Sequence, residues 1–127
     1  MKSMVVGLAM VLAAAAPSRA AAQDAACVPP ALRIVMEASA RIDLAVVHVE
    51  VPACSVGIPA WTVERCGLGS CKPIRVQTHV NDPWRAWFRL PTAGLYRVRV
   101  EYFTPHGAVL EDQVFVRRGA RPVRPGR

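Results

Sequence analysis

Apolar and polar residues alternate along two neighbouring stretches in the C-terminal half of this chain. Between residues 84 and 90, and again between residues 95 and 103, every second side chain is apolar or aromatic. Because the side chains of a β-strand point alternately to its two faces, each stretch predicts a strand with one buried face. Pro91–Gly94 and Thr104–Gly107 are predicted turns that separate these strands from their neighbours. The pattern requires a sheet that packs its apolar face against another layer.

Four further segments carry a similar signal, and together they predict six or seven strands. Residues 42–51, 61–66, 74–80 and 108–116 are rich in β-branched or aromatic residues, and most are bounded by proline, glycine or asparagine. Residues 31–41 fit either a helical face or a first strand, and we favour the strand because every later segment is β-like. The sequence predicts an all-β fold, a small antiparallel β-sandwich over residues 23–117.

The first 22 residues have the pattern of a secretory signal peptide. Lys2 precedes an apolar run over residues 4–16, and small residues follow Pro17, so that cleavage after Ala20 or Ala22 fits. The apolar run is shorter than the ~20 residues needed to cross a bilayer, so no transmembrane segment is expected after cleavage. We therefore expect a periplasmic or secreted protein.

Four cysteines follow this leader, and an even number in a small exported domain indicates two disulfides. Cys66 and Cys71 enclose a glycine-containing turn that a bridge can close easily, which leaves Cys27 to pair with Cys54. We favour this pairing. Cys54–Cys66 together with Cys27–Cys71 is the main alternative.

The segment from Leu90 to Val100 (LPTAGLYRVRV) resembles the end of strand E and the start of strand F in immunoglobulin-like and fibronectin-like sandwiches. In those folds a tyrosine stands at this corner and its hydroxyl bonds back to the preceding loop; Tyr96 matches that position. Val98 stands where antibody domains carry a cysteine, so the resemblance implies a sandwich without the antibody-type disulfide. Trp61 would take the place of the core tryptophan. The resemblance is silent about function, because this fold hosts many unrelated activities.

Arginine dominates the charged surface. Without Lys2 and Arg19 of the leader, 14 of the 16 basic residues remain against all nine acidic ones, a net charge of +5, and Lys72 is the single lysine. Guanidinium groups suit carboxylates, phosphates and aromatic faces. Residues 118–127 carry four arginines and no apolar period, which predicts a disordered basic tail, either solvated or in contact with an acidic partner or anionic surface.

The solvent-side residues of the two alternating strands are the predicted binding surface. They are Arg85, Trp87, Arg89, Arg97 and Arg99. They form one basic and aromatic patch if both strands lie in the same sheet. In the usual sandwich the two strands lie in different sheets, which separates the two sets. The alternative to binding is that the arginine stems only cover Trp87.

No pattern of catalytic residues stands out. The serines lie in no nucleophile elbow, and the neighbouring carboxylates of Glu111 and Asp112 point to opposite faces of a strand. The three histidines, His48, His79 and His106, could hold a metal together with Met36, but no two of them have the spacing of metal ligands. We therefore expect no enzyme, no metal and no cofactor.

Export, small size, disulfides and the lack of catalytic motifs predict a non-enzymatic binding or accessory module of the bacterial cell envelope. Its expected partner is an envelope protein, held by the sheet face or by the loop between Cys54 and Trp61. Inhibition of an extracellular enzyme is an alternative, because rigid loops held by disulfides suit that task. Exported metal binding is the other alternative. Nucleic acid is not an expected partner outside the cytoplasm.

Overall fold

Eight antiparallel β-strands make up the described part of the protein. The computed structural model describes residues 26–119 and Arg124. The strands are β1 (Ile34–Glu37), β2 (Leu44–Val49), β3 (Ala60–Gly67), β4 (Ser70–Ile74), β5 (Gln77–His79), β6 (Asp82–Arg89), β7 (Leu95–Phe103) and β8 (Val109–Arg117). The all-β prediction is confirmed, and residues 31–41 contain a strand, β1, as favoured above.

The strands form two four-stranded sheets. Sheet I has the order β1-β2-β6-β5, and sheet II has the order β4-β3-β7-β8. The two most strongly alternating stretches became β6 and β7, which lie in the middle of different sheets. Each of these strands is therefore paired on both sides, and its apolar face packs against the other sheet.

The core fills the space between the sheets with every second side chain of each long strand. The buried apolar residues are Leu32, Ile34, Ala45, Val47, Val49, Val63, Trp84, Ala86, Phe88, Leu90, Tyr96, Val98, Val100, Tyr102, Val114 and Val116. The inward faces predicted for residues 84–90 and 95–103 are confirmed. Burial of these side chains is the main force that holds the sheets together.

The single strand predicted over residues 74–80 is wrong. Ile74 ends β4 in sheet II opposite Val63, whereas Gln77 begins β5 in sheet I opposite Trp87. The chain changes sheets between these two residues, and the alternation of side chains continues through the change. Folding of β4 back onto β3, across a turn at Gly69 with φ +82°, adds a strand mainly over residues 70–73, where none was predicted. The described residues therefore hold eight strands where six or seven were expected.

Two disulfides fix the two ends of the sandwich, with the pairing favoured from the sequence. Cys27–Cys54 ties the segment before β1 to the connection between β2 and β3, with 5.1 Å between the Cα atoms. Cys66–Cys71 joins residues directly opposite each other on β3 and β4. Both bridges therefore hold loops at ends of the sheets, outside the core.

Tyr96 forms the corner contact expected from the sequence. Its ring is fully buried at the start of β7, and its hydroxyl donates a hydrogen bond of 2.8 Å to the backbone carbonyl of Thr92. This bond closes the turn between β6 and β7 over the end of the core. A buried tyrosine whose hydroxyl has a partner stabilises both the core and the turn.

A latch of polar groups joins the outer edges of the two sheets. Asp112 occupies an inward-facing position of β8, opposite Val100, and its Oδ2 accepts a hydrogen bond of 2.7 Å from the backbone N–H of Ile34 in β1. The guanidinium of Arg124 donates to both carboxylate oxygens of Asp112, at 3.0 and 2.9 Å, and to the carbonyl oxygen of Ile34 at 3.0 Å. The half-buried latch thus gives hydrogen-bond partners to the N–H and C=O of Ile34, which lie on the open edge of β1.

Asp112→Ala is expected to lower the free energy of unfolding by about 1–3 kcal/mol, because it removes the carboxylate that accepts hydrogen bonds from both the Arg124 guanidinium and the Ile34 N–H. Urea unfolding measures the loss, and hydrogen exchange should show faster exchange of the Ile34 amide. Glu111→Ala is the matched control: this neighbouring side chain is exposed, and its removal should change stability by less than about 0.5 kcal/mol. Equal effects of the two substitutions would contradict a structural role for the latch.

Two predictions from the sequence fall wholly or mainly on residues that are not described. The signal peptide over residues 1–22 lies outside the described residues. Most of the predicted basic tail, 118–127, also lies outside them, but Arg124 is described and contacts Asp112 in the latch. In the described part of the chain no helix is long and apolar enough to cross a membrane.

Candidate functional site

The structure does not bring the predicted basic surface together. Arg85, Trp87 and Arg89 project from the outer face of sheet I, whereas Arg97 and Arg99 project from the outer face of sheet II. The idea of one shared patch is wrong, because β6 and β7 are consecutive in sequence but belong to opposite layers. Each set must be judged by its own surroundings.

The arginines of sheet II are occupied by neighbouring carboxylates. Arg97 lies opposite Glu64 on β3, and its Nε donates a hydrogen bond of 3.1 Å to Glu64 Oε1. Arg99 lies 3.5 Å from a carboxylate oxygen of Glu101 on its own strand. Such cross-strand and same-strand pairs neutralise the face, so little free positive charge remains there for a ligand.

On the outer face of sheet I, the charged side chains near the start of β6 are also paired. Arg85 donates a hydrogen bond of 2.6 Å to Glu37, and His48 Nδ1 lies 3.2 Å from the other oxygen of the same carboxylate. Trp87 is half-buried, and its indole N–H donates to the side-chain oxygen of Gln77 at 2.9 Å. The ring of His79 contacts this indole, with 4.8 Å between the ring centroids.

Next to Trp87, towards the end of β6, a basic groove of about 540 Å³ opens between β2, β6 and the chain that leads into β5. Its lining combines three arginines and one glutamine with apolar side chains, namely Arg41, Arg75, Arg89, Gln77, Leu44, Ile74, Trp87, Phe88 and Pro91. Trp87 and Arg89 were predicted from the sequence as binding residues, whereas Arg41 and Arg75 were not. No local pattern marks those two, because the change of sheet after Ile74 is what places Arg75 beside β6.

Asp43 is the carboxylate nearest to the groove arginines among the described residues. Arg41 holds it with hydrogen bonds of 3.1 and 2.8 Å, and Arg89 Nη1 lies 3.8 Å away. The hydrogen bond from Arg41 holds the pKa of the Asp43 carboxyl below its usual value, and the same bond raises the pKa of Arg41. Asp43 is therefore ionised at neutral pH and competes with any acidic ligand for these two arginines.

A second feature is the end of the sandwich where β2–β3, β5–β6 and β7–β8 are connected. Within the described residues, seven large apolar side chains are substantially exposed, and five of them lie at this end. We call this the loop end, and define it by Val56, Ile58, Val80, Phe103 and Val109. Ile42 and Leu68 lie at the opposite end.

The loop that carries Val56 and Ile58 is held from several sides. Its start is fixed by Cys27–Cys54, and Ser55 donates a side-chain hydrogen bond to the Cys27 carbonyl. The hydroxyl of buried Tyr102 donates a bond of 2.6 Å to the carbonyl of Val56. Gly57 takes φ +93° against the Tyr102 ring, a backbone conformation that favours glycine. The loop thus presents two apolar side chains from a fixed backbone.

The histidines lie on separate elements. His48 is in β2, His79 ends β5 two strands away in the same sheet, and His106 lies in the turn between β7 and β8. Within residues 26–119 and Arg124, no group of three or more histidine, cysteine or acidic side chains is placed to hold a metal ion. The structure therefore does not bring the three predicted ligands together.

Comparison with protein-family models, with curated proteins and with solved structures gives no match for this chain.

Proposed function

We propose that this protein is an exported, non-enzymatic binding module of the bacterial cell envelope that holds a protein partner with its loop end. The observation that carries the proposal is the concentration of exposed apolar side chains there: Ile58 is 78% exposed and Val80 is 96% exposed. Several exposed apolar side chains at one end of a small domain favour a surface that another protein covers. The disulfides support export, because such bridges persist in oxidising compartments.

We further propose that the sandwich is immunoglobulin-like. Two observations support this. The strand orders β1-β2-β6-β5 and β4-β3-β7-β8 correspond to A-B-E-D and C′-C-F-G of that fold, and Tyr96 makes the corner hydrogen bond. In this correspondence the loop end carries the B–C and F–G connections, the same end that antibody variable domains use for binding. The disulfides differ, since neither joins β2 to β7.

The way the loop is held favours tight binding. A flexible loop loses conformational entropy when it is ordered by a partner, and this loss reduces the affinity. Here the disulfide at Cys54, the Tyr102 hydrogen bond and the turn at Gly57 order the loop before any partner arrives. Apolar burial at Val56 and Ile58 can then contribute to binding with little ordering cost.

Site-specific photocrosslinking in cells that produce the protein tests the proposal. A photoreactive residue at position 58 is expected to give a discrete crosslinked product, because Ile58 would be covered by the partner. Position 68 is the matched control: Leu68 is a fully exposed aliphatic residue in the β3–β4 turn at the other end. Ile58→Asp in the same chain, with a photoreactive residue at position 56, should reduce the product several-fold.

Crosslinks of equal yield from positions 58 and 68 would contradict the proposal, as would the absence of any discrete product from positions 56, 58 and 103. The Ile58→Asp variant must first keep the thermal midpoint of the parent. We expect that it will, because an exposed loop substitution rarely changes stability by more than about 0.5 kcal/mol.

A further inference from the structure

The basic groove lies where the pairing between β5 and β6 stops. Gln77, the first residue of β5, lies opposite Trp87, and the pairing with β6 begins there. If the register continued, Arg75 would stand directly opposite Arg89. Like charges in directly opposite positions destabilise a strand pair, so continuing the ladder to Arg75 would be unfavourable. At Arg75 the chain is still crossing from sheet II to sheet I, and the side chains of Arg75 and Arg89 both line the groove.

The edge of β6 in this groove offers backbone groups to a ligand. The N–H of Leu90 donates to the Asp43 carbonyl at 2.7 Å, so Leu90 faces the side of β2. Backbone groups of successive residues in an antiparallel strand point to opposite sides. The N–H and C=O of Arg89 therefore point into the groove, in line with the pair that Trp87 makes with Gln77.

The side chains around this edge favour an anion with apolar neighbours. Arg75 is exposed and has no carboxylate within 4 Å among the described residues, and Arg89 is 68% exposed. The indole of Trp87, fixed by its bond to Gln77, and the side chains of Leu44 and Ile74 provide apolar walls. A guanidinium suits a carboxylate geometrically, and an indole face packs well against aliphatic side chains.

We propose that this groove binds an extended acidic segment of a protein partner, which adds to β6 as a short strand in place of the missing part of β5. Its backbone pairs with Arg89, and its Asp or Glu side chains lie between Arg75 and Arg89. The open strand edge favours a peptide over a free anion, because a peptide satisfies both the N–H and the C=O of Arg89. This goes beyond the function proposed above, since the groove lies away from the loop end.

The test uses the processed, disulfide-bonded protein and two synthetic hexapeptides, one of alternating Glu and Val and one of alternating Lys and Val. Nuclear magnetic resonance follows the indole N–H of Trp87 and the amide of Arg89 during titration. The acidic peptide is expected to shift both signals in a saturable way, and the Lys peptide to shift neither. The indole signals of Trp61 and Trp84, which lie elsewhere, are internal controls.

Matched arginine variants locate the binding. Because an exposed ion pair changes an affinity by up to about fivefold, Arg75→Gln with Arg89→Gln should weaken binding of the acidic peptide about tenfold. Arg33→Gln with Arg99→Gln removes the same charge elsewhere and should leave the affinity within about twofold. Asp43→Asn removes the internal competitor and should strengthen binding about two- to fivefold.

Absence of saturable binding by the acidic peptide would overturn the proposal. Equal weakening by the two double variants would also overturn it, because it would indicate a general charge effect. Complete displacement of the peptide by inorganic phosphate at constant ionic strength would also overturn the proposal, because it would indicate a simple anion site. Crosslinking from position 58 does not depend on this groove, so either proposal can fail alone.

Discussion

Replacing Phe88 with alanine is expected to lower the free energy of unfolding by about 3–5 kcal/mol. The Phe88 side chain is 2% exposed and points from β6 into the space between the sheets. Its ring centroid lies 6.4 Å from that of Tyr96, which belongs to sheet II. Alanine would leave a cavity that the neighbouring strands close only in part, because β6 is paired with β2 on one side and β5 on the other.

Urea unfolding monitored by tryptophan fluorescence measures this loss. Small domains have total stabilities of roughly 5–15 kcal/mol, so the variant would lose a large part of its folding free energy. Arg89→Ala is the matched control, since it removes a long side chain from the next residue, whose side chain is 68% exposed. It should cost less than about 0.5 kcal/mol. A loss below about 1 kcal/mol for Phe88→Ala would contradict the packing of β6 against sheet II.

Removing the Cys27–Cys54 bridge, by serine at both positions, is expected to cost about 3.5 kcal/mol. The cysteines are 27 residues apart, and a bridge across such a loop restricts the unfolded chain by about that amount in the chain-entropy account. The Cys66–Cys71 bridge spans only five residues, so its removal should cost about 2 kcal/mol. Each double variant avoids leaving a single reactive thiol.

The same urea experiment on the two double-serine variants compares the bridges directly. The order of the losses is the essential result, because both variants lose the same chemistry and differ mainly in loop length. A larger loss from Cys66→Ser with Cys71→Ser would contradict the entropic account. The Cys27–Cys54 variant should also show faster hydrogen exchange at Ser55 and Gly57, whose loop loses its anchor to the segment before β1.

The sequence predicted most of the fold because the central strands bury one face completely. In β7, each of Tyr96, Val98, Val100 and Tyr102 is buried, and the residues between them face outwards. Such strict alternation has a period of two residues, which indicates a β-strand with one buried face. Most of β4 escaped prediction, and β5 was merged with the end of β4 into one predicted strand, because these edge residues are mostly exposed and the alternation does not stop where the chain changes sheets.

The candidate sites were less predictable, because each is assembled from separate parts of the chain. The loop between Cys54 and Trp61 was named from the sequence, but Val80 and Phe103 join it only through the directions of β6 and β7. Likewise Arg75 comes near Arg89 only because the chain changes sheets after Ile74. Exposure and charge are visible in a sequence, whereas the choice of sheet for each strand depends on the packing of the whole core.

The latch between β1 and β8 has a consequence for how the protein matures. Ile34 and Arg124 are 90 residues apart, so during synthesis Ile34 is made long before the guanidinium that bonds its carbonyl. During synthesis this contact cannot form before residue 124 has been made. Until then the first strand has an open rim, and a nascent polypeptide could use that rim to join a neighbour. Closing the latch therefore covers part of a strand edge that another chain would otherwise be free to pair with.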